Sequence, residues 1–358
     1  MRRPFSYGNI GGEVCQKERA LSLRLKDLGE FGLIQRIQEG CLVKPERVLQ
    51  GIGDDAAVLH TGGDHLLLAS TDMLVEGIHF TLETATPFEI GYKAVAVNIS
   101  DIAAMGGIPL ETLISVGLYP DQEVEFVDEL YRGMKTCCRL YGVNIIGGDT
   151  VASPRAVIVN VAILGRVEAG AVLYRSTARP GDVILVTGDL GASAAGLDIL
   201  LNPKPVDAEV AARLRKRHFR PTPRVEETRA AVEAGGLTAA DDISDGLARE
   251  IKEIASASGV GALLYGEQIP ISPDVREAAA AYGKDPLDYA LFGGEDFELL
   301  WTCRPEAVEE IRRAVAARCG TPVTVIGEIV PAAEGVNLRY QGCRRPLLKG
   351  GYTHFAQP

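Results

Sequence analysis

The sequence contains few histidines, a single tryptophan and no long apolar run. Only 5 of its 358 residues are histidines, and none of its 7 cysteines forms a CxxC pair. These features argue against a zinc site, which needs closely spaced Cys and His ligands. No apolar stretch reaches the roughly 18 residues that a membrane-spanning helix needs. The odd number of cysteines is typical of a reducing compartment, and we therefore predict a cytoplasmic protein.

An excess of positive charge is also missing. Lys and Arg total 37 against 48 Asp and Glu, which gives a formal net charge of −11. Such an acidic chain is a poor general surface for nucleic acid. It can still bind anionic ligands if a metal ion stands between them and the carboxylates. The chain also lacks the P-loop pattern GxxxxGK(S/T), the kinase motifs HRD and DFG, and the GxSxG turn.

Strand-like and helix-like segments alternate from about residue 27 onward. With 46% hydrophobic and 24% charged residues, the composition is that of an ordinary globular protein. A turn signal at residues 178–182 separates two patterned regions. We therefore predict an α/β (α+β) protein with two mixed α/β domains, at residues 27–170 and 171–358. Residues 1–26 are polar and weakly patterned, and we predict a mobile N-terminal extension.

The first acidic motif is Gly51-Ile52-Gly53-Asp54-Asp55-Ala56-Ala57. It fits the GxGxxA dinucleotide pattern, in which backbone amides bind a pyrophosphate. Two aspartates inside that loop would repel the pyrophosphate, so a dinucleotide site is disfavoured. A solvated acidic turn and a metal site both remain open from this motif alone.

More carboxylates follow at predicted strand ends and on a predicted helix, where Asn98 and Asp101 share one face. Each motif alone is more often a cap or a turn than a ligand. Together they supply many hard oxygen donors, which suit several Mg²⁺ or Ca²⁺ ions around a polyphosphate. The motifs are Ser70-Thr71-Asp72 at the end of a strand over 66–70, Gly147-Gly148-Asp149 after a strand over 143–146, Asp242-Ile243-Ser244-Asp245-Gly246, and Gly293-Gly294-Glu295-Asp296.

Taken together, these motifs resemble the thiamine-monophosphate kinase family, within the aminoimidazole ribonucleotide synthetase-like superfamily. The resemblance extends from about Leu28 to Phe355. Its most specific parts are the EGIHF segment at residues 76–80 and the closing GYTHF segment at residues 351–355. The segment KAVAVNISDIAAMG, at residues 93–106, belongs to the same set.

The resemblance implies ATP- and Mg²⁺-dependent phosphorylation of thiamine monophosphate to thiamine diphosphate by direct phosphoryl transfer. It implies an N-terminal domain that binds ATP and metal and forms a homodimer. The implied Mg²⁺ ligands are Asp55, Ser70, Thr71, Asp72, Asp101, Asp149, Asp242 and Asp245. The implied ATP contacts are Tyr131, Gly148, Arg175 and Ser244, and the implied thiamine contacts are His79, Glu295 and Tyr352.

Some alternatives stay open from the sequence. Asp241 precedes Asp242, and either could be the metal ligand. Another ATP-dependent synthetase of the same superfamily and a non-catalytic nucleotide- or metal-binding scaffold are the alternative functions. Because a phosphate acceptor is already ionised near pH 7, neither a protein base nor a covalent nucleophile is implied.

Overall fold

The computed structural model describes residues 24–348 and 350–355. Residues 1–23, most of the predicted N-terminal extension, lie outside this range. The chain divides into two units, Met1–Cys41 with Thr353–Pro358, and Leu42–Tyr352. In the smaller unit, helix α1 (Leu25–Ile37) is kinked at Gly29, where φ is +68°.

The first half of the larger unit forms a six-stranded sheet and two helices. In chain order these are β1 (Val48–Gln50), β2 (Ala57–His60), β3 (His65–Val75), α2 (Pro87–Ala104), β4 (Ile108–Leu118), α3 (Val124–Tyr141), β5 (Asn144–Ala152) and β6 (Ile158–Glu168). The strand order is β1-β2-β3-β6-β4-β5. Strands β4 and β5 pair in parallel, and the other neighbours pair antiparallel. Every second residue of β6 is buried, which shows that one face of the sheet is covered and the other is open. Helix α2 contacts β3 and β6 and covers the buried face.

Two strands are longer than the sequence patterns predict. Strand β3 was expected to end at Ser70, and β5 at Ile146, but their ladders continue to Val75 and Ala152. The physical reason is pairing: β6 supplies partners along the whole of β3, and β4 supplies partners along β5. Both acidic motifs therefore lie inside strands, where successive side chains point to opposite faces.

The described residues of the second half form a seven-stranded sheet with seven α-helices. In chain order these are β7 (Val183–Thr187), α4 (Ala192–Leu201), α5 (Ala208–Phe219), α6 (Val225–Ala234), β8 (Leu237–Asp242), α7 (Leu247–Ser258), β9 (Gly261–Tyr265), α8 (Pro273–Tyr282), α9 (Pro286–Phe292), β10 (Leu299–Cys303), α10 (Val308–Cys319), β11 (Val323–Val330), β12 (Val336–Tyr340) and β13 (Cys343–Pro346). The strand order is β13-β12-β9-β11-β7-β10-β8. Two mixed α/β halves confirm the predicted fold class. The predicted boundary at residue 170 lies in the segment between β6 and β7.

Helix α2 packs against strands of both halves. A capping box between Thr86 and Glu89 fixes its start, and most of its side chains are buried. These include the polar side chains of Lys93, Asn98 and Ser100, which need polar partners because unpaired buried polar groups are costly. Helix α2 also contacts β8 and α6, so its C-terminal end meets the end of β8. Among the described helices, none combines the length and apolar character needed to cross a membrane.

Helices α2 and α3 approach to backbone contact through a pair of glycines. A Cβ on Gly91 would lie 1.9 Å from the carbonyl oxygen of Leu130, and one on Gly133 would lie 2.0 Å from that of Phe88. Neither distance leaves room for a methyl group, so this packing requires glycine at both positions.

We expect Gly91→Ala to lower the free energy of unfolding by on the order of 3 kcal/mol, because the helices must separate. Alanine itself favours a helix by about 1 kcal/mol over glycine, so propensity alone predicts the opposite change. Gly170→Ala is the control, since a Cβ there would meet nothing within 4 Å. Thermal unfolding followed by circular dichroism measures both variants, and equal melting temperatures would contradict the close contact.

Candidate active site

Three carboxylates from distant parts of the chain meet where α2 reaches β8. Asp55 precedes β2, Asp101 lies near the C-terminal end of α2, and Asp242 ends β8. One carboxylate oxygen of each lies within 4.8 Å of the other two. Ser70 donates a hydrogen bond to Asp101 at 2.5 Å, and Ser100 donates one to Asp242. We refer to Asp55, Asp101 and Asp242 as the carboxylate cluster.

Burial and repulsion between like charges favour protonated acids in this cluster. Burial raises the pKa of Asp101 well above its usual range, and the neighbouring Asp72 and Asp242 raise it further. Burial and Asp55 raise the pKa of Asp242 to about 8 and that of Asp72 to about 6. Carboxylates this close can all be ionised only when a cation shares the site.

The chemistry of the cluster fits a divalent cation with oxygen ligands. Asp55 Oδ2 is buried and has no hydrogen-bond partner within the described chain. Carboxylate oxygens are the hard donors that Mg²⁺ prefers. The residues that meet here therefore suit the predicted magnesium site.

Arg175 supplies fixed positive charge beside the cluster. Its guanidinium group contacts Asp55, and Nη2 lies 2.9 Å from Asp241 Oδ1. Burial opposes the charge of Arg175, but Asp241 and Asp55 outweigh burial and raise its pKa. Asp241 thus pairs with Arg175, whereas Asp242 faces the cluster, because neighbouring residues of β8 point in opposite directions.

The predicted ligands on β3 are divided between the two faces of the first sheet. Ser70 and Asp72 lie on the face that α2 covers, where the N–H of Asp72 donates to Asn98 Oδ1 at 3.0 Å. Thr71 points to the open face and accepts a hydrogen bond from Asn160 Nδ2 at 3.1 Å. The structure therefore brings Ser70 and Asp72 to the cluster but not the side chain of Thr71.

Asp149 also points to the open face. Its neighbour Gly148 pairs with Ile114, whose side chain is buried on the helix-covered face, so Asp149 points the other way and is exposed. Strand β5 lies three strands away from β3, which corresponds to about 14 Å across the sheet. Within one chain, Asp149 is thus separate from the carboxylate cluster.

Two of the predicted ATP contacts lie outside the cluster. A Cβ on Gly148 would lie 1.7 Å from the carbonyl oxygen of Ile114, so this position on β5 requires glycine. Tyr131 lies on α3, packed partly against the core, with Lys135 Nζ 5.9 Å from its ring centre. The other two, Arg175 and Ser244, flank the end of β8.

Glu295, one of the predicted thiamine contacts, lies between a lysine and a histidine. Its Oε1 lies 2.7 Å from Lys93 Nζ, and its Oε2 lies 3.4 Å from His218 Nδ1. Burial alone would raise the pKa of Glu295, but the adjacent Lys93 ammonium group outweighs burial and lowers it, so the carboxylate is ionised. His79, which is far from Glu295 in sequence, also contributes to this lowering of the pKa. His79 itself accepts a hydrogen bond at Nδ1 from the N–H of Val75, at 3.1 Å.

The loop at Ser244 and Asp245 connects Glu295 with Tyr352. The N–H of Glu295 donates to the Ser244 carbonyl at 2.6 Å, and the N–H of Tyr352 donates to the Asp245 carbonyl at 3.1 Å. A Cβ on Gly351 would lie 1.6 Å from that same Asp245 oxygen. The first position of the GYTHF segment therefore requires glycine, because the backbone of Gly351 directly contacts this loop.

Sequence patterns missed three polar residues of the site, which are Lys93, His218 and Glu250. Glu250 Oε1 accepts from the N–H of Asp245 at 2.8 Å, and burial raises its pKa well above the usual range. Lys93 carried a partial signal, as a basic residue on a helix whose side chains are mostly apolar. His218 and Glu250 belong to ordinary amphipathic helices, which gave no sign of a role.

Comparisons with known proteins identify the family of the chain. The family model "AIR synthase related protein, N-terminal domain" matches residues 53–167, and its C-terminal counterpart matches residues 179–338. The thiamine-monophosphate kinase of Bacillus subtilis (strain 168) is 39% identical over 332 residues, which cover 92% of this chain and 100% of that protein. The chain belongs to the thiamine-monophosphate kinase family. The thiamine-monophosphate kinase of Escherichia coli (strain K12) is 38% identical over 331 residues, or 92% of this chain and 99% of that protein.

Solved structures of thiamine-monophosphate kinases share the fold. AaThiL complexed with AMPPCP and TMP superimposes with a TM-score of 0.82 at 36% identity, over 94% of this chain and 100% of that one. The crystal structure of the kinase from Aquifex aeolicus gives a TM-score of 0.75 at 34% identity, over 90% of this chain and 100% of that one. The hydrogenase maturation protein HypE of E. coli shares the fold alone, with a TM-score of 0.67 at 23% identity over 78% of this chain and 84% of that one.

For this thiamine-monophosphate kinase family member, we expect stability without metal to fall as pH rises. In the folded chain, the pKa of Asp72 is about 6 and that of Asp242 is about 8. In an unfolded chain, the pKa of an aspartate is about 3.9. The folded state thus binds more protons in this window, so the free energy of unfolding decreases from about pH 5 to 8. Melting temperatures in EDTA should follow this trend, and Mg²⁺ should reverse it.

Asp242→Asn tests the cause, because the amide imitates the protonated acid. This variant should show a weaker pH dependence in EDTA and a smaller response to Mg²⁺ than the natural chain. If the melting temperatures of the two proteins depended equally on pH and on Mg²⁺, the carboxylate cluster would not be the cause of either dependence.

Proposed function

We propose that this chain transfers the γ-phosphoryl group of ATP directly to thiamine monophosphate, which yields thiamine diphosphate and ADP. The observation that carries the proposal is the carboxylate cluster, in which the guanidinium group of Arg175 contacts Asp55. Its family membership supports the same reaction, since a related kinase was solved with AMPPCP and TMP.

The carboxylates would hold Mg²⁺ ions, which when bound would neutralise the charge of the two phosphate groups. Asp55, Asp101 and Asp242 are the central ligands, and Ser70 and Asp72 lie beside them. Thr71, Asp149 and Asp245 complete the proposed set. Asp241 serves instead to hold Arg175, which keeps the guanidinium group aimed at the region of the nucleotide phosphates.

The remaining residues bind the two substrates. Arg175, Ser244, Gly148 and Tyr131 would contact ATP, whereas His79, Glu295 and Tyr352 would contact thiamine monophosphate. No residue needs to remove a proton, because the attacking phosphate oxygen is already ionised near pH 7. The contribution of the protein is to place two polyanions in line and to exclude water.

We also propose a homodimer through the open face of the first sheet. This face exposes Met73 (51%), Leu113 (40%) and Val151 (54%), a set of apolar side chains that fits burial against a second copy. Thr71 and Asp149 lie on the same face. In such a dimer, Asp149 of the partner subunit would lie opposite Thr71 of the first chain, and these two side chains would hold a further Mg²⁺ ion. A cytoplasmic location remains a prediction, which the free cysteines of the described residues support.

Release of ADP that depends on thiamine monophosphate tests the proposed reaction. A superfamily synthetase would ignore this acceptor, and a scaffold would bind ATP without turnover. Asp72→Asn should reduce kcat by at least about 100-fold, because an amide is a weaker Mg²⁺ ligand and leaves the phosphates repelling each other. Asp121→Asn, on an exposed turn, is the control and should retain full activity.

Mixed dimers test whether Asp149 acts across the interface. Asp149→Asn alone should also be inactive and should keep its melting temperature, since the side chain is exposed. The Asp72→Asn and Asp149→Asn chains are then mixed, unfolded and refolded together. Half of the resulting dimers contain one chain of each kind, and each of these dimers has one intact site out of two. The mixture should therefore recover about a quarter of the natural activity. An inactive mixture, with heterodimers shown by mass spectrometry, would place Asp149 in the site of its own chain.

A further inference from the structure

Lys93 is a charged residue in the middle of the buried helix α2, and its side chain is only 3% exposed. A buried ammonium group is costly unless a carboxylate pairs with it. Glu295, from the other half of the larger unit, supplies that carboxylate at 2.7 Å. The charge of Glu295 is therefore balanced before any substrate arrives.

The second carboxylate oxygen of Glu295 has a different neighbour. His218 Nδ1 lies 3.4 Å from Oε2 and 3.0 Å from Ser193 Oγ. Burial and Lys93 lower the pKa of His218 to about 3, so the imidazole is neutral near pH 7. Lys93 thus balances the charge, while His218 limits the orientation of the carboxylate.

We propose that Lys93 is a positioning residue that neutralises Glu295, so that this carboxylate selects the acceptor by accepting a hydrogen bond and not by pairing with a cation. The inference rests on the proposed function, which puts Glu295 in the thiamine pocket. Thiamine monophosphate offers both possible contacts, a thiazolium cation and the amino group of a pyrimidine. A carboxylate already paired with Lys93 gains little from a second cation, but its free lone pairs still accept from an N–H donor.

Two acceptor analogues separate these contacts in steady-state kinetics. One has a neutral thiophene ring in place of the thiazolium, and the other has an oxo group in place of the pyrimidine amino group. Glu295→Gln should raise KM by the same factor, within about threefold, for thiamine monophosphate and for the neutral-ring analogue. The oxo analogue should have at least about a tenfold higher KM with the natural chain, and Glu295→Gln should recover part of this loss, because its amide can donate to the oxo group.

The proposal is overturned if Glu295→Gln penalises the cationic acceptor about tenfold more than the neutral-ring analogue. It is also overturned if the oxo analogue binds the natural chain as well as thiamine monophosphate does. These two results would test only how Glu295 recognises the acceptor, and they would leave the proposed phosphoryl transfer untouched. Absence of thiamine-dependent ADP release from the natural chain would instead contradict the proposed function.

Variants of Lys93 test the positioning role. Lys93→Met should raise the KM for thiamine monophosphate at least about tenfold, with kcat within about threefold, and Lys93→Arg should restore most of the loss. Lys284→Met is the control, since it removes an ion pair with Asp198, at 2.5 Å, outside the site. An unchanged KM, or an equal loss of kcat and kcat/KM, would exclude the role. If Lys93→Met fails to fold, the comparison of acceptor analogues with Glu295→Gln still tests the proposal.

Discussion

Repulsion among buried carboxylates is the constraint on which the rest of the structure depends. Asp55, Asp101 and Asp242 come from a loop, a helix and a strand, and no one of these elements alone would hold like charges so close together. Hydroxyl donors from Ser70 and Ser100 and the guanidinium of Arg175 offset part of the repulsion. The remaining deficit of positive charge makes the site selective for ligands that arrive with metal ions.

Like the cluster, the proposed acceptor end of the site must balance a buried carboxylate, but it does so in a different way. There the single carboxylate of Glu295 meets a protein cation, Lys93, and its charge is satisfied internally. One end of the site therefore requires external cations, and the other does not. If the proposed roles hold, this difference separates the binding of metal and nucleotide from the recognition of the organic part of the acceptor.

The sequence predicts well what depends on local chemistry. Glycine next to acid marks places where the backbone approaches a ligand or another loop, and the motifs at Asp55, Asp242 and Glu295 do meet in the fold. It predicts poorly what depends on pairing between strands. Because β5 continues beyond Ile146, Asp149 lies inside a strand and points away from Asp72, and no local pattern carries that information. Lys93 and His218 were missed because their significance arises only from a partner that is distant in sequence.

Helix α2 carries residues of both ends of the site, with Lys93 near the acceptor pocket and Asp101 in the cluster. Eight residues of α-helix separate them, which corresponds to about 12 Å along a rigid rod. With the acceptor ring at Glu295 and its phosphate at the cluster, as proposed, this length would set how far an acceptor must reach from its ring to its phosphate. A molecule with the right ring but a shorter or longer arm would bind and yet hold its phosphate away from the metal ions. Selection by length would thus accompany the proposed selection by chemistry.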